Sequence, residues 1–214
     1  NKNKFDAKTA AIIGFSLFGT NHNYLIKNKK IDYENLNEFL KNYHDKSFLI
    51  FGFTSNVYEY LVRQFDKKKV NFDLSKGILI HGGGWKKMSS INISNTKFKD
   101  KLKIHLKINN VFNYYGLIEQ TGSIFFECKS CGCFNPSKYS DVIIRDKNFN
   151  VLPKKKIGYL QLLSLLPTSY PGHSILTEDL GELIENDCDN CKGKKKFLVH
   201  GRVEQSEIRG CSDT

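Results

Sequence analysis

The apolar run Gly77-Ile78-Leu79-Ile80 leads directly into His81-Gly82-Gly83-Gly84-Trp85-Lys86-Lys87, so a segment of strand length ends in three consecutive glycines. The apolar run belongs in a buried strand, and the glycines form a loop leaving its end. A glycine run lets the backbone approach a ligand closely with φ > 0 and without a Cβ clash, and an adjacent lysine can neutralise a phosphate. The same residues also suit a tight turn, so what surrounds the loop decides between the two readings.

Strand-like and helix-like segments alternate through the first half. Ala10 to Phe15 predicts a short apolar strand. A helix follows in which Leu36, Phe39, Leu40 and Tyr43 share one face behind Asp32 as its N-cap. Phe48 to Phe51 predicts the next strand, and Val57, Leu61 and Phe65 lie on one face of a second helix, with Asn56 to Glu59 as a capping box. Gly77 to Ile80 is a third strand, Lys97 to Leu106 a helix, and Val111 to Tyr115 a fourth strand. Such alternation requires crossovers and implies an α/β fold, a mostly parallel sheet flanked by helices.

From about Ile124 the helices stop. Asp141 to Arg145, Gly158 to Leu163 and Phe197 to Val199 are strands divided by turns, as in a smaller antiparallel β region. The expected division is therefore 1–127 for the parallel α/β part and 128–214 for the antiparallel part, which carries the cysteine-rich loops.

At 214 residues and 40% apolar content the chain can bury a real core. Its net charge of +11 favours anionic partners, although many of the lysines stand in surface runs such as Lys67-Lys68-Lys69 and Lys154-Lys155-Lys156. No run approaches the roughly 20 apolar residues of a membrane-spanning helix. The N-terminal Asn1-Lys2-Asn3-Lys4 lacks the apolar core of a signal peptide, so the expected location is the cytoplasm. The start without Met suggests a fragment truncated at its N-terminus.

Ligands of open parallel sheets bind beyond the carboxyl ends of the strands, and two loops leave such ends: His81 to Lys87, and Tyr115-Gly116-Leu117-Ile118-Glu119-Gln120-Thr121-Gly122. An aromatic face can stack on a base, and a carboxylate can hold Mg2+ between phosphates. Downstream, Thr177-Glu178-Asp179-Leu180-Gly181 reads as an acidic turn whose short carboxylate can accept from both ribose hydroxyls, and Gly201-Arg202 supplies a cation.

In this order the motifs resemble the acyl-adenylate-forming ligases. More narrowly, His81 to Lys87, Tyr115 to Gly122, Leu165 to His173, Ser174 to Gly181 and Glu207 to Asp213 resemble the acyl-protein synthetases, the fatty-acid-activating component of bacterial bioluminescence reductase complexes. The resemblance covers nearly the whole chain. It implies ATP-dependent activation of a long-chain fatty or related carboxylic acid as acyl-AMP, followed by transfer to a thiol, with an acyl reductase as partner protein.

Residue by residue, the resemblance implies that Gly82, Gly83 and Gly84 line the adenine, that Tyr115 stacks on it beside Gly116, and that Glu119 holds Mg2+. Asp179 and Arg202 would bind the ribose, and Cys211 would be the acyl acceptor, activated by Arg209. The chemistry itself makes Lys86 and Lys87 candidate cations for the departing pyrophosphate. Where the wider superfamily has Thr before the glutamate, this chain has Ile118, leaving Thr121 as an open alternative for the lost hydroxyl. Neither the hydroxyl-rich triphosphate loop nor the large lysine-bearing C-terminal domain of the superfamily is found in these residues.

Five of the six cysteines fall in two short segments, Cys128-Lys129-Ser130-Cys131-Gly132-Cys133 and Cys188-Asp189-Asn190-Cys191. Two CxxC knuckles separated by a long insert are the usual framework of a structural Zn2+ site. Cys128, Cys131, Cys188 and Cys191 are the expected ligands, with Cys133 an alternative to Cys131.

Three other readings stand beside the first: a phenylacetate-CoA-ligase-like enzyme using coenzyme A, a zinc-stabilised basic module that binds nucleic acid, and a scaffold that docks a reductase without catalysis. The chain has no basic helix or basic and aromatic stripe, which counts against nucleic acid. Ser174 and His173 do not make a hydrolase, because no G-x-S-x-G elbow accompanies them.

Overall fold

The computed structural model describes residues 7–68, 72–84, 93–185 and 187–203, and its first element already departs from expectation. Ala10 to Phe15 lies in a helix, α1 (Ala7–Ser16), not a strand. Ala10-Ala11 favour helix, and the helix lays Phe15 flat against Phe51 with ring centroids 4.2 Å apart. A tight hairpin of β1 (Ile26–Lys27) and β2 (Lys30–Ile31) follows, turning through Asn28 and Lys29, both at positive φ.

Helix α2 (Tyr33–Tyr43) starts where Asp32 predicts, its side chain accepting from the Asn35 N–H at 3.0 Å. Strand β3 (Phe48–Phe53) pairs in parallel with β4 (Gly77–Gly82), in register from Phe48 opposite Gly77 to Phe53 opposite Gly82. Between them the helix runs as α3 (Thr54–Asn56), a π-helical segment Val57–Arg63 and α4 (Gln64–Lys68). It begins at Thr54, so Asn56 already has helical dihedrals and makes no side-chain capping bond; the predicted capping box is absent. Glu59 instead pairs with Arg63 at 2.8 Å, one turn further on.

Helix α5 (Asn95–Leu106) is capped by Ser94 and ends in Lys107 at φ 56°. Phe98, Leu102 and Leu106, at spacings of four, are fully buried against Val57, Leu61, Phe65 and Leu79. Each contributes about 1.5–3 kcal/mol by leaving water, which is what holds the parallel strands under their helices.

The chain divides into two compact units between Phe112 and Asn113, inside β5 (Asn110–Tyr115) and before the 127/128 boundary expected from the sequence pattern. In the second unit β5 pairs antiparallel with β6 (Phe125–Glu127), and β6 with β7 (Phe134–Asn135). Beyond them stand β8 (Ser140–Arg145), β9 (Gly158–Ser164), β10 (Ser174–Leu183) and β11 (Phe197–Arg202), in the order β7-β11-β10-β9-β8, all antiparallel. Alternate residues of β9 point inward, so Leu160 and Leu162 meet Phe125, Val142, Ile144 and Phe197 in a second core. Among the described residues no helix is long and apolar enough to cross a membrane.

Candidate functional site

Thr177 to Gly181 forms part of a strand, not the turn expected from its composition. Strand β10 carries it, with register shifts against β9 between Leu176 and Leu180 and against β11 between Leu180 and Gly181. The cause is local. Buried Thr177 donates its hydroxyl to the Leu160 carbonyl at 2.9 Å and accepts from the Asp179 N–H at 3.1 Å, so the backbone bends toward its own side chain. A Cβ at Gly181 would lie 2.4 Å from the Leu198 carbonyl oxygen, so only glycine fits beside the bulge.

Asp179 stands opposite Arg202 of β11, whose Nε lies 3.7 Å from Oδ1. Tyr115, at the end of β5, donates its hydroxyl to Asp179 Oδ2 at 2.7 Å. Its ring packs at 6.2 Å from each of Phe125, Phe134 and Phe197. Burial, reinforced by the Asp179 charge, pushes the Tyr115 phenol above its ordinary value, so it stays a neutral donor. Orienting the Asp179 carboxylate is a role for Tyr115 that the sequence did not suggest, because the partners are 64 residues apart.

The loop after β5 turns through a 3-10 segment, Ile118–Gln120. Glu119 is exposed on it, and Gly116 packs where a Cβ would meet the Ser123 carbonyl oxygen at 3.1 Å. Gln120 is fully buried and donates to the carbonyls of Gly172 at 2.9 Å and Leu162 at 3.3 Å. The Thr121 N–H donates to the Tyr170 hydroxyl at 3.0 Å, and the Thr121 hydroxyl proton goes to the Ile118 carbonyl at 2.9 Å. Ser123 donates to Ser164 at 2.6 Å. The segments 115–122 and 165–173, read from the sequence as separate motifs, are thus latched together. Gln120 and Tyr170 do this, and nothing in their spacing marks them; His173 itself is exposed.

In the first unit, β4 continues through His81 to Gly82, and Gly83 follows at φ 76°. His81 is buried rather than standing in a loop, its ring 4.9 Å from Phe98. The Thr54 hydroxyl lies 2.9 Å from His81 Nδ1 and 3.1 Å from the Gly82 carbonyl. The hydroxyl's single proton goes to the Gly82 carbonyl when Nδ1–H donates to the Thr54 oxygen, which leaves Nε2 a buried acceptor with no partner among the described residues. Burial, with the Lys99 charge, lowers the ring pKa to about 3, so it is neutral.

In the second unit the sulfurs of Cys128, Cys131, Cys188 and Cys191 all lie within 4.8 Å of one another, while Cys133, buried, is not among them and its thiol reaches the Cys131 carbonyl at 3.7 Å. Burial, with the neighbouring thiols, raises the Cys191 thiol. Burial also acts to raise that of Cys128, but the backbone N–H groups of Cys131 and Ser130 outweigh it and bring it to about 7.

A family model, acyl-protein synthetase LuxE, matches residues 1–214. The chain belongs to the LuxE acyl-protein synthetase family. Comparison with curated proteins returned no match. Solved structures similar to it include 2-hydroxyisobutyryl-CoA ligase in complex with 2-HIB-AMP and CoA, at TM-score 0.61 and 14% identity over 79% of this chain and 36% of that one. McyG A-PCP complexed with phenylalanyl-adenylate is similar at TM-score 0.53 and 20% identity, over 81% of this chain and 33% of that one. The amide bond synthetase McbA from Marinactinospora thermotolerans follows at 0.52 and 14%, over 81% and 35%. The chain thus spans about a third of the length of the structures it matches, and it shares their fold.

For this LuxE family member, the second unit brings Tyr115, Asp179 and Arg202 together and exposes Glu119 on the loop that follows Tyr115. Gly82 ends β4 in the first unit, and Gly83 and Gly84 follow it. Trp85, Lys86, Lys87, Arg209 and Cys211 lie outside the described residues.

Proposed function

We propose that this chain carries part of the nucleotide site of an AMP-forming acid–thiol ligase, one that activates a long-chain fatty or related carboxylic acid as acyl-AMP and passes the acyl group to a cysteine thiol. Family membership supports this reading, and so does one geometric observation: the Asp179 carboxylate is held by Tyr115 at 2.7 Å and faced by Arg202 at 3.7 Å. With one oxygen engaged by a neutral phenol, the carboxylate keeps lone pairs for both ribose hydroxyls. It is already oriented, so nucleotide binding costs it little reorganisation. Arg202 supplies positive charge beside it.

In this reaction a carboxylate oxygen of the substrate attacks the α-phosphorus of ATP, the bond to the bridging oxygen breaks, and pyrophosphate leaves. A thiolate, its proton lost to solvent, then attacks the acyl carbon; the bond to the phosphate oxygen breaks and AMP leaves. Glu119 offers Mg2+ a hard, solvent-facing oxygen, and the chemistry the ion supplies is neutralisation of charge on pyrophosphate. For Gly82, Gly83, Gly84, Gly116 and Cys211 the assignment rests on the family likeness, and for Lys86 on its place beside the glycine loop. An acyl reductase is the partner that would consume the thioester.

Carboxylate-dependent exchange of labelled pyrophosphate into ATP tests the first step. Asp179→Ala is expected to lower exchange by about a hundredfold, the scale of losing a preorganised charged contact. Unchanged exchange in that variant, measured where the wild-type sequence supports carboxylate-dependent exchange, would refute the reading. Cys211→Ser tests the second step: lost acyl-protein labelling with exchange intact supports self-acylation, whereas acyl-CoA formation by that variant assigns coenzyme A as acceptor.

A further inference from the structure

Cysteine spacing shows only that four sulfurs are available; the fold decides where they meet. Cys128 and Cys131 lie on the connection from β6 to β7, and Cys188 and Cys191 on the connection from β10 to β11. Their sulfurs approach across the two connections, Cys128 to Cys188 at 3.8 Å and Cys131 to Cys191 at 3.5 Å. Thiolates placed about 2.3 Å from a central Zn2+ form a tetrahedron with edges of about 3.8 Å. One observed separation equals that value and the other is slightly shorter, and all four sulfurs lie within 4.8 Å of one another. Free thiols are weak hydrogen-bond partners, so such close approach of four has little to recommend it without an ion.

We propose that the second unit holds one Zn2+ in a closed tetrahedral site formed by Cys128, Cys131, Cys188 and Cys191, and that this ion clasps the two connections together. Each half of the site is folded around its own backbone hydrogen bonds. Cys128 N–H donates to the Cys133 carbonyl at 2.8 Å and Gly132 N–H to that of Cys128 at 2.8 Å. On the other side, Cys191 N–H donates to the Cys188 carbonyl and Lys194 N–H to that of Cys191, both at 3.1 Å. Gly132 and Gly193, at φ 71° and 74°, allow these tight returns.

Around the cysteines the connections are polar: Lys129, Ser130, Asp189, Asn190, Lys192 and Lys194 are all exposed. Apolar burial therefore does little to hold these segments, and the ion takes that role. An Asn190–Ser130 hydrogen bond and another from Asn135 to the Lys195 carbonyl at 3.0 Å align the two connections. Strand β11 starts just beyond, with buried Phe197 opposite Phe134, so the clasp sets where β11 begins. Four thiolates fill the coordination sphere and leave no position for water, which makes the site structural rather than catalytic. Binding expels the thiol protons to solvent, and nearby lysines offset the remaining negative charge.

The test is metal content, which does not depend on the ligase reading. The protein, purified under reducing conditions and supplied with Zn2+, is expected to carry one zinc per chain by elemental analysis. After exchange with Co2+ it should show the visible bands and near-ultraviolet charge transfer of tetrahedral cobalt thiolate. Cys131→Ser and Cys188→Ser should lose the metal, and Cys133→Ala should keep it. A strong chelator should lower the wild-type melting temperature by about 10 °C and leave that of Cys131→Ser unmoved. A reduced wild-type chain that takes up no zinc, iron in place of zinc, or loss of metal from a folded Cys133→Ala variant would overturn the proposal.

Discussion

Tyr115 Oη donates to Asp179 Oδ2 at 2.7 Å, and this bond joins the end of β5 to the bulged middle of β10. A charge-assisted hydrogen bond in a half-buried setting contributes about 1.5–3 kcal/mol. Tyr115→Phe keeps the ring among Phe125, Phe134 and Phe197 while freeing the carboxylate. AMP affinity measured by calorimetry is expected to fall by about tenfold, for a loss of about 1.4 kcal/mol. The same bond sets an alkaline limit. With its phenol raised in the folded state, Tyr115 contributes stability that is fully present below the ordinary tyrosine value of about 10 and is lost as pH rises above it. Urea unfolding between pH 9 and pH 11 should show this decline in the wild type and a flatter limb in Tyr115→Phe.

His81 sets the opposite limit. Its pKa falls from 6.5 to about 3 on folding, so between those values the unfolded chain binds the extra proton. Stability is then complete above about 6.5 and declines as pH falls toward 3, by an amount on the order of 5 kcal/mol. His81→Phe removes the titration, and the acid limb of the stability curve should flatten even though the variant loses its bond to Thr54.

Gln120→Leu preserves size but removes the donor to the Gly172 and Leu162 carbonyls. Leaving buried carbonyls unpaired costs about 1–3 kcal/mol each. A lower denaturation midpoint is expected, along with faster amide exchange at Thr121, whose N–H depends on Tyr170 in the same latch. Unchanged exchange at Thr121 would show that the two loops are held by something else.

Gly181→Ala places a methyl 2.4 Å from the Leu198 carbonyl oxygen and 2.9 Å from Leu160 Cδ2. The β10–β11 ladder must shift, at a cost of about 1–3 kcal/mol. Because Asp179 and Arg202 pair across that ladder, nucleotide affinity should fall along with the melting temperature. A variant that is destabilised yet binds AMP normally would separate the bulge from the site.

Local chemistry sufficed for much of this architecture. Asp32 caps α2 as its position predicted, because an N-cap needs only its own next turn. Leu36, Val57, Leu61 and Phe65 are buried where helical spacing placed them. Ala10 to Phe15 was misread because an apolar run of six fits strand and helix equally, and the choice fell to Phe15 packing on Phe51. Thr177 to Gly181 was misread as a turn because its hydroxyl and carboxylates are turn-forming residues. What keeps it in a strand is hydrogen bonding to β9 and β11, which no local pattern records.

The sequence by itself determined which chemical groups are present: the carboxylate of Asp179, the cation of Arg202, two CxxC pairs and the motif order that places the chain in its family. Only the tertiary structure decided that Tyr115 holds Asp179, that Gln120 latches two loops, and that Cys131 rather than Cys133 joins the other three sulfurs. The reason is physical. Residue type fixes what a group can donate, accept or ligate, whereas which groups meet depends on strand register and bulges, set by burial and hydrogen bonding across the whole sheet.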